Sequence, residues 1–160
     1  MAHRLDAVRA ATPPGHSGMG TTLSANALAL AAMRATLEQV MTPAAYGQME
    51  RLASVLEFNL DQAIEEYAVP WHVVRVGARV EFVCAPGPLR NGSEAAAAHA
   101  PALERAVHLS LLNDGCLIAP FHNMMLVCPG TTEDQVGRLC EAFERVLARL
   151  TTAEPSLEDA

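Results

Sequence analysis

The sequence predicts an α+β fold in which helices cover a small, mainly antiparallel sheet, and three observations carry that prediction. Apolar residues recur at i+3/i+4 spacing from Met49 to Tyr67 and again from Val136 to Leu150. Between these stretches, Trp71 to Cys84 changes to β-rich residues, HVVRVGARVEFVC, around Gly77-Ala78. The resulting order is helix, helix, strand, strand, helix, strand, strand, helix, which places helices over a sheet of few strands.

Residues 1–12 can form a short helix with Leu5 and Val8 on one side, broken by Thr12-Pro13-Pro14-Gly15. A glycine-rich loop follows and leads into a helix over 27–41, where Leu30, Met33, Leu37, Val40 and Met41 hold helical spacing. Leu28, Ala31, Ala32 and Ala35 cover its other sides, so this long helix is expected to be buried or packed against another subunit. Thr42-Pro43 restarts the chain as N-cap and N1, and Met49, Leu52, Leu56, Leu60, Ala63, Ile64 and Tyr67 trace a second amphipathic helix up to Pro70.

Gly77-Ala78 is placed for a two-residue turn with glycine first. Pairing across it sets Val74 against Glu81 and Val76 against Arg79, which gives no clean apolar face and leaves the register open. Ala85 to Gly92 is a loop, and the alanine run after Ser93 is either a helical lead-in or a mobile connection. Pro101 starts a helix carrying Leu103, Ala106, Val107, Leu111 and Leu112, with Gly115 placed to end it. Short strands over Cys116–Ala119 and Met124–Cys128 flank Pro120-Phe121-His122-Asn123. Thr132 with Gln135 forms a capping box for the last helix, and TTAEPSLEDA is a polar tail.

The 160 residues are 51% hydrophobic, ample for the core of one domain. The net charge is −7 and the eleven arginines are scattered, so no basic surface is present to bind a nucleic-acid backbone. No apolar run reaches the ~18 residues of a membrane span, and MAHRLDAVRA lacks a signal-peptide core, so a cytoplasmic protein is expected. Cys84, Cys116, Cys128 and Cys140 show no C-x-x-C spacing and are expected as buried thiols, not as a disulfide or zinc framework.

The stretch Gly15 to Ala32, GHSGMGTTLSANALALAA, has the chemistry of an anion site. Gly15, Gly18 and Gly20 let the backbone approach a ligand, Thr21, Thr22 and Ser24 supply hydroxyls, and the helix start adds free N–H groups. The same residues also suit an ordinary capped helix, with Ser24 or Asn26 as N-cap. The string GTTLSANALALAAMRATLE resembles the G-T-(L/F)-S-(G/A)-N-P-L-A segment of class III pyridoxal-phosphate aminotransferases, particularly their glutamate-1-semialdehyde aminomutase branch. By that resemblance Thr22 binds the cofactor phosphate across a dimer interface, with Thr21, Ser24 and the Gly20 backbone as supporting donors. The family's proline after Asn is Ala27 here, which removes rigidity but no phosphate donor.

The resemblance continues through VVRVGARVEFV and Gly115 to Pro120 and ends in the T-x-E-D-x-V helix start at Thr131 to Val136. It implies a segment 1–25 with the phosphate loop, a linking helix 26–41, a small domain over 42–150 and a tail over 151–160. The family's N-x-x-R carboxylate site corresponds to Asn123-Met124-Met125-Leu126, where the arginine position is apolar, as suits the aminomutase-like branch.

The chain contains no lysine, and a pyridoxal-phosphate aminotransferase holds its cofactor as a Schiff base to a lysine amine. The resemblance therefore implies the C-terminal portion of such an enzyme, without catalytic residues of its own, that uses pyridoxal 5'-phosphate only beside a lysine-bearing domain. A homo-oligomer or that complementing domain is the expected partner, with a small amino or keto compound as substrate. The alternative is a stand-alone binding domain that keeps the fold without the chemistry. His122 and Asn123 are candidate substrate contacts, against a turn that faces solvent. His16 is placed in the glycine loop, no metal site is expected, and no G-x-S-x-G, H-E-x-x-H or P-loop motif is present.

Overall fold

The computed structural model describes residues 6–7, 10–11, 25–119 and 123–152, and residues 6–7 and 10–11 are helical. The chain divides into two compact units, 1–40 and 41–160. In the first, α1 (Ala27–Ala35) starts at Asn26, whose side chain accepts the Ala29 N–H at 2.9 Å. It widens into a π-helical stretch, Thr36–Val40. Between Ser24 and Asn26, the cap is thus Asn26. No residue over 27–40 is buried, and Leu28, Leu30, Met33, Leu37 and Val40 are exposed. The burial expected of so apolar a helix is absent among the described residues.

The second unit opens with α2 (Pro43–Glu66), capped by Thr42, whose hydroxyl accepts the Ala45 N–H at 3.2 Å, with Pro43 in the first turn. Its buried stripe runs Met49, Leu52, Ala53, Leu56, Leu60, Ala63 and Ile64. The helix ends in a Schellman turn: Ala68 N–H donates to Glu65 O at 3.1 Å and Val69 N–H to Ile64 O at 3.3 Å. Ala68 sits at φ +51, a conformation a Cβ disfavours. Ala68→Gly should therefore raise the unfolding free energy by about 0.5 kcal/mol, the relief of left-handed strain being partly offset by the looser unfolded chain. Urea unfolding checks this, and a fall in the midpoint refutes it.

β1 (His72–Val76) and β2 (Arg79–Val83) form the hairpin, with β3 (Met124–Leu126) antiparallel on the other side of β2. Val74 does face Glu81, and Val76 does face Arg79, across a turn in which Gly77 takes φ +57. The inward face belongs to the alternate residues: Val80 and Phe82 are fully buried and Met125 follows them on β3. Arg75, paired with Val80 on that face, forms an ion pair with Glu57 of α2. Val74, Val76 and Leu126 are exposed on the outer face, so the hairpin needs only one apolar side.

After the loop, α3 (Gly92–Ala97) begins at Asn91, which accepts the Ser93 and Glu94 N–H groups, so the alanine run is helical. α4 (Pro101–Asn113) ends where Gly115 takes φ +83; Gly115 N–H donates to Leu112 O at 3.0 Å and Cys116 N–H to Leu111 O at 2.8 Å. That turn uses the Cys116 N–H, and Cys116–Ala119 makes only a single bridge, Ala119 to Met124, in place of the expected strand. α5 (Glu133–Thr152) carries the predicted capping box: Gln135 N–H donates to Thr132 Oγ1 at 3.2 Å and Thr132 N–H to Gln135 Oε1 at 3.0 Å.

α2 and α5 pack on each other, and α2 packs on the hairpin. At the centre, Phe82 lies 4.9 Å from Phe143 of α5 and stacks on Trp71 at 5.8 Å between ring centroids. Asp114, just past α4, accepts from Arg149 at 3.1 Å and Arg145 at 3.3 Å, tying that end to α5. Those arginines, Arg149 foremost, hold the Asp114 carboxyl below its ordinary value. A carboxyl depressed in the folded state contributes stability above the unfolded carboxylate range, about pH 4, and loses it as pH falls through the folded value. Asp114→Asn should remove that part of the acid-side slope of stability, and an unchanged slope would refute the linkage.

All four cysteines are free. Cys140 is buried as expected, Cys84 and Cys116 are half-buried, and Cys128 is exposed, because it lies past β3 in the turn before α5. Among the described residues no helix is long and apolar enough to cross a membrane, and no group of three or more His, Cys, Asp or Glu side chains is placed to hold a metal.

Candidate functional site

Gly20, Thr21, Thr22 and Ser24 lie outside the described residues, as do His16 and His122. Asn123 is the candidate whose surroundings the structure describes. It takes φ +46, which asparagine tolerates better than most residues, and is only 6% exposed. Its backbone position just before β3 turns the side chain toward the end of β2, where Nδ2 lies 4.0 Å from Cys84 Sγ.

A pocket of about 230 Å³ opens there, lined by Phe82 and Cys84 of the β2 end, Leu89, Ala98, Glu104 and Asn123, among others. Local chain chemistry builds each wall. Leu89 comes from the loop whose path is set by the His72 ring, Nδ1 lying 2.7 Å from Ala85 O. Asn91 starts α3 and so presents Ala98 at its end. Glu104 reaches back over the first turn of α4, where Oε1 accepts the Ala100 N–H at 3.0 Å and lies 3.3 Å from His99 Nδ1.

Burial, aided by the Glu104 charge, pushes the Cys84 thiol up to about 12, so it stays neutral near pH 7 and is no nucleophile. Glu81, also at the rim, is held by Arg79 Nη2 at 2.6 Å. The arrangement suits binding, with one carboxylate and one amide on an otherwise apolar lining. Sequence reasoning placed Asn123 in a candidate site and missed Cys84, His99 and Glu104. Only the A-P-x-x-E start of α4 hints at a back-turned Glu104, and it hints at a cap, not a pocket.

No protein-family model matches the chain. The glutamate-1-semialdehyde 2,1-aminomutase of Thermomicrobium roseum is 30% identical over 148 residues, covering 92% of this chain and 34% of that protein. Glutamate-1-semialdehyde 2,1-aminomutase 2 of Geobacillus thermodenitrificans is 34% identical over 140 residues, 86% of this chain and 32% of its own. The crystal structure of a glutamate-1-semialdehyde aminomutase from Pseudomonas aeruginosa PAO1 superposes with a TM-score of 0.83 and 44% identity, covering 93% of this chain and 34% of that one. A β-phenylalanine aminotransferase from Variovorax paradoxus shares the fold at a TM-score of 0.74 and 24% identity, over 85% of this chain and 30% of its own. The chain is therefore a homologue of glutamate-1-semialdehyde aminomutases, shares its fold with a β-phenylalanine aminotransferase, and spans about a third of the length of the relatives it matches.

Proposed function

We propose that this chain supplies the C-terminal portion of a pyridoxal-phosphate aminotransferase or aminomutase, contributing phosphate binding and part of the substrate pocket without turnover of its own. The observation that supports it best is the superposition on the Pseudomonas aeruginosa aminomutase, 44% identical over 93% of this chain. In this reading the loop of segment 1–25 offers Thr22, with Thr21, Ser24 and the Gly20 N–H, to a cofactor phosphate in a neighbouring subunit's site. Helix 26–41 links it to the small domain over 42–150, where His122 and Asn123 contact substrate, and 151–160 is a tail. Leu28, Leu30, Met33 and Leu37, exposed in this chain, give a homo-oligomer or a complementing large domain an apolar surface to cover. The protein acts in the cytoplasm.

Pyridoxal phosphate does not fit the described pocket. Glu104 presents negative charge to a phosphate, no arginine lines that pocket among the described residues, and the chain has no lysine amine for the cofactor's aldehyde. The reactive carbon is thus served by residues outside this chain.

A chimera tests the proposal, with this chain replacing the corresponding third of the Pseudomonas aeruginosa enzyme. The chimera should bind pyridoxal phosphate, and Thr22→Val should weaken that binding by roughly tenfold or more. The 160-residue chain alone should show no aminomutase or transaminase turnover. Turnover by the isolated chain, or a folded chimera that takes no cofactor, would overturn the reading. The second reading, a stand-alone binding domain, draws on the closed core that 41–160 builds around Phe82 and Phe143. It predicts a monodisperse isolated chain, whereas the first predicts self-association.

A further inference from the structure

We infer that the outer edge of β1 accepts the same edge of a second copy of this chain, and that the Asp61 carboxylate of α2 bars this pairing until the carboxylate is neutralised. The sheet runs β1-β2-β3, so β1 has a strand on one side only, and an unpaired edge is a template for another strand. Val127 N–H donates to Ala78 O, so Ala78, Val80 and Phe82 turn their backbone groups toward β3, and Arg79, Glu81 and Val83 turn theirs toward β1. Through the register, His72, Val74 and Val76 are bonded to β2, and the N–H and C=O groups of Val73 and Arg75 point away from the sheet. Asp61 meets one of these four groups, accepting the Val73 N–H.

The two outward residues match themselves. Set antiparallel about Val74, two β1 strands bring Val73 of each opposite Arg75 of the other, and each such pair exchanges both N–H···O bonds. The two-fold places Val74, exposed on the outer face, directly against its own copy, and the partner sheet continues with its helices on the same side. A second copy thus supplies backbone groups in the spacing that β1 offers, with a valine to meet Val74. α2 packs on β1, so the seam also brings the acidic positions Glu57, Asp61 and Glu65 of the two copies toward one another. The charged or titratable groups around Asp61 are Glu57 and Glu65 on its own helix and His72 and Arg75 on β1, and Arg75 is already held by Glu57. Ionised, Asp61 both occupies the Val73 N–H and adds to the repulsion across the seam. Burial, with Glu57 and Glu65, lifts its carboxyl above the ordinary value, so Asp61 takes up its proton at a higher pH than a solvated aspartate.

The test is hydrogen exchange of the full 160-residue chain, read amide by amide in NMR spectra of dilute and concentrated samples at the same pH. At neutral pH the Val73 and Arg75 amides of the unaltered chain should exchange equally fast in both samples. In Asp61→Ala they should slow by roughly tenfold or more on concentration. Adding Val74→Lys, which sets like charges face to face at an exposed position, should return them to the dilute rate. Acidification toward about pH 4 should bring out the same slowing in the unaltered chain and not in Val74→Lys, and this arm decides the matter where Asp61→Ala fails to fold. Slowing at neutral pH in the unaltered chain, none in folded Asp61→Ala or in acid, or slowing that survives Val74→Lys would overturn the inference. Association that leaves both amides at the dilute rate belongs to another surface, the helix over 27–40 included, and counts against it. The inference stands on the sheet and α2 alone, so a dead chimera leaves it intact, and its failure leaves the aminotransferase reading untouched.

Discussion

Phe143→Ala is expected to lower the unfolding free energy by about 3–5 kcal/mol, the cost of removing a fully buried aromatic ring from a packed core. Phe143 is 1% exposed and meets Phe82 at 4.9 Å and Trp71 at 6.3 Å between ring centroids, so it joins α5 to the inner face of the sheet. The neighbours come from the hairpin and from the turn after α2, which cannot all move inward to fill one cavity. Against a typical domain stability of about 5–15 kcal/mol, the loss takes a third or more of the total. Urea unfolding followed by tryptophan fluorescence measures it directly, because Trp71 reports from the same cluster. A loss below about 1 kcal/mol would mean the ring does not hold these layers together. Phe143→Leu, which keeps most of the volume, should lose less than half as much.

Gly87→Ala is expected to destabilise by about 1–3 kcal/mol, through a collision and not through backbone strain. A Cβ at Gly87 would lie 2.5 Å from the Cγ and Cδ2 atoms of His72. These atoms belong to the root and edge of a ring that is pinned by Nδ1 at 2.7 Å from Ala85 O, so the ring cannot swing aside without giving up that contact. The two positions should therefore couple. His72→Ala with Gly87→Ala should be less destabilising than the sum of the single changes by about 1 kcal/mol or more, read from a double-mutant cycle in urea. Additive losses would show that the loop adapts to the methyl group without involving the ring.

The helix ends were legible in the sequence because their signals are local. Thr42-Pro43, the Thr132 and Gln135 pair and Gly115 each act on backbone groups within a few residues, and each does in the structure what its chemistry requires. The hairpin register was equally written there, through the glycine-first turn. What misled was treating Val74 opposite Glu81 as a flaw, when the inward face belongs to Val80 and Phe82. The Schellman turn at Ala68 was not legible, since alanine carries no signal for positive φ. Cys116–Ala119 looked like a strand by composition and lost its ladder to the turn that precedes it.

The pocket was the least legible feature, for a physical reason. Cys84, Leu89, Ala98, Glu104 and Asn123 arrive from five separate places along the chain, and no spacing rule relates residues that meet only through tertiary packing. Asn123 was singled out from its neighbourhood in the chain, and its partners could not be. The expected phosphate loop is the reverse case: its residues are contiguous, so Thr22 is singled out by resemblance from the string alone, and it lies outside the described residues.

The outer face of the sheet has a consequence for how this protein can change over time. Val76 of β1 is 74% exposed and Leu126 of β3 is 66% exposed, while Val80 and Phe82, on the inner side of β2 between them, are sealed. Selection for folding acts on the sealed residues and hardly registers the exposed ones. The exposed positions drift freely in a lineage where the domain stands alone, and are held fixed in one where another surface lies against them. Along β2 sealed and more open positions alternate residue by residue, so that a single strand keeps two independent records of constraint.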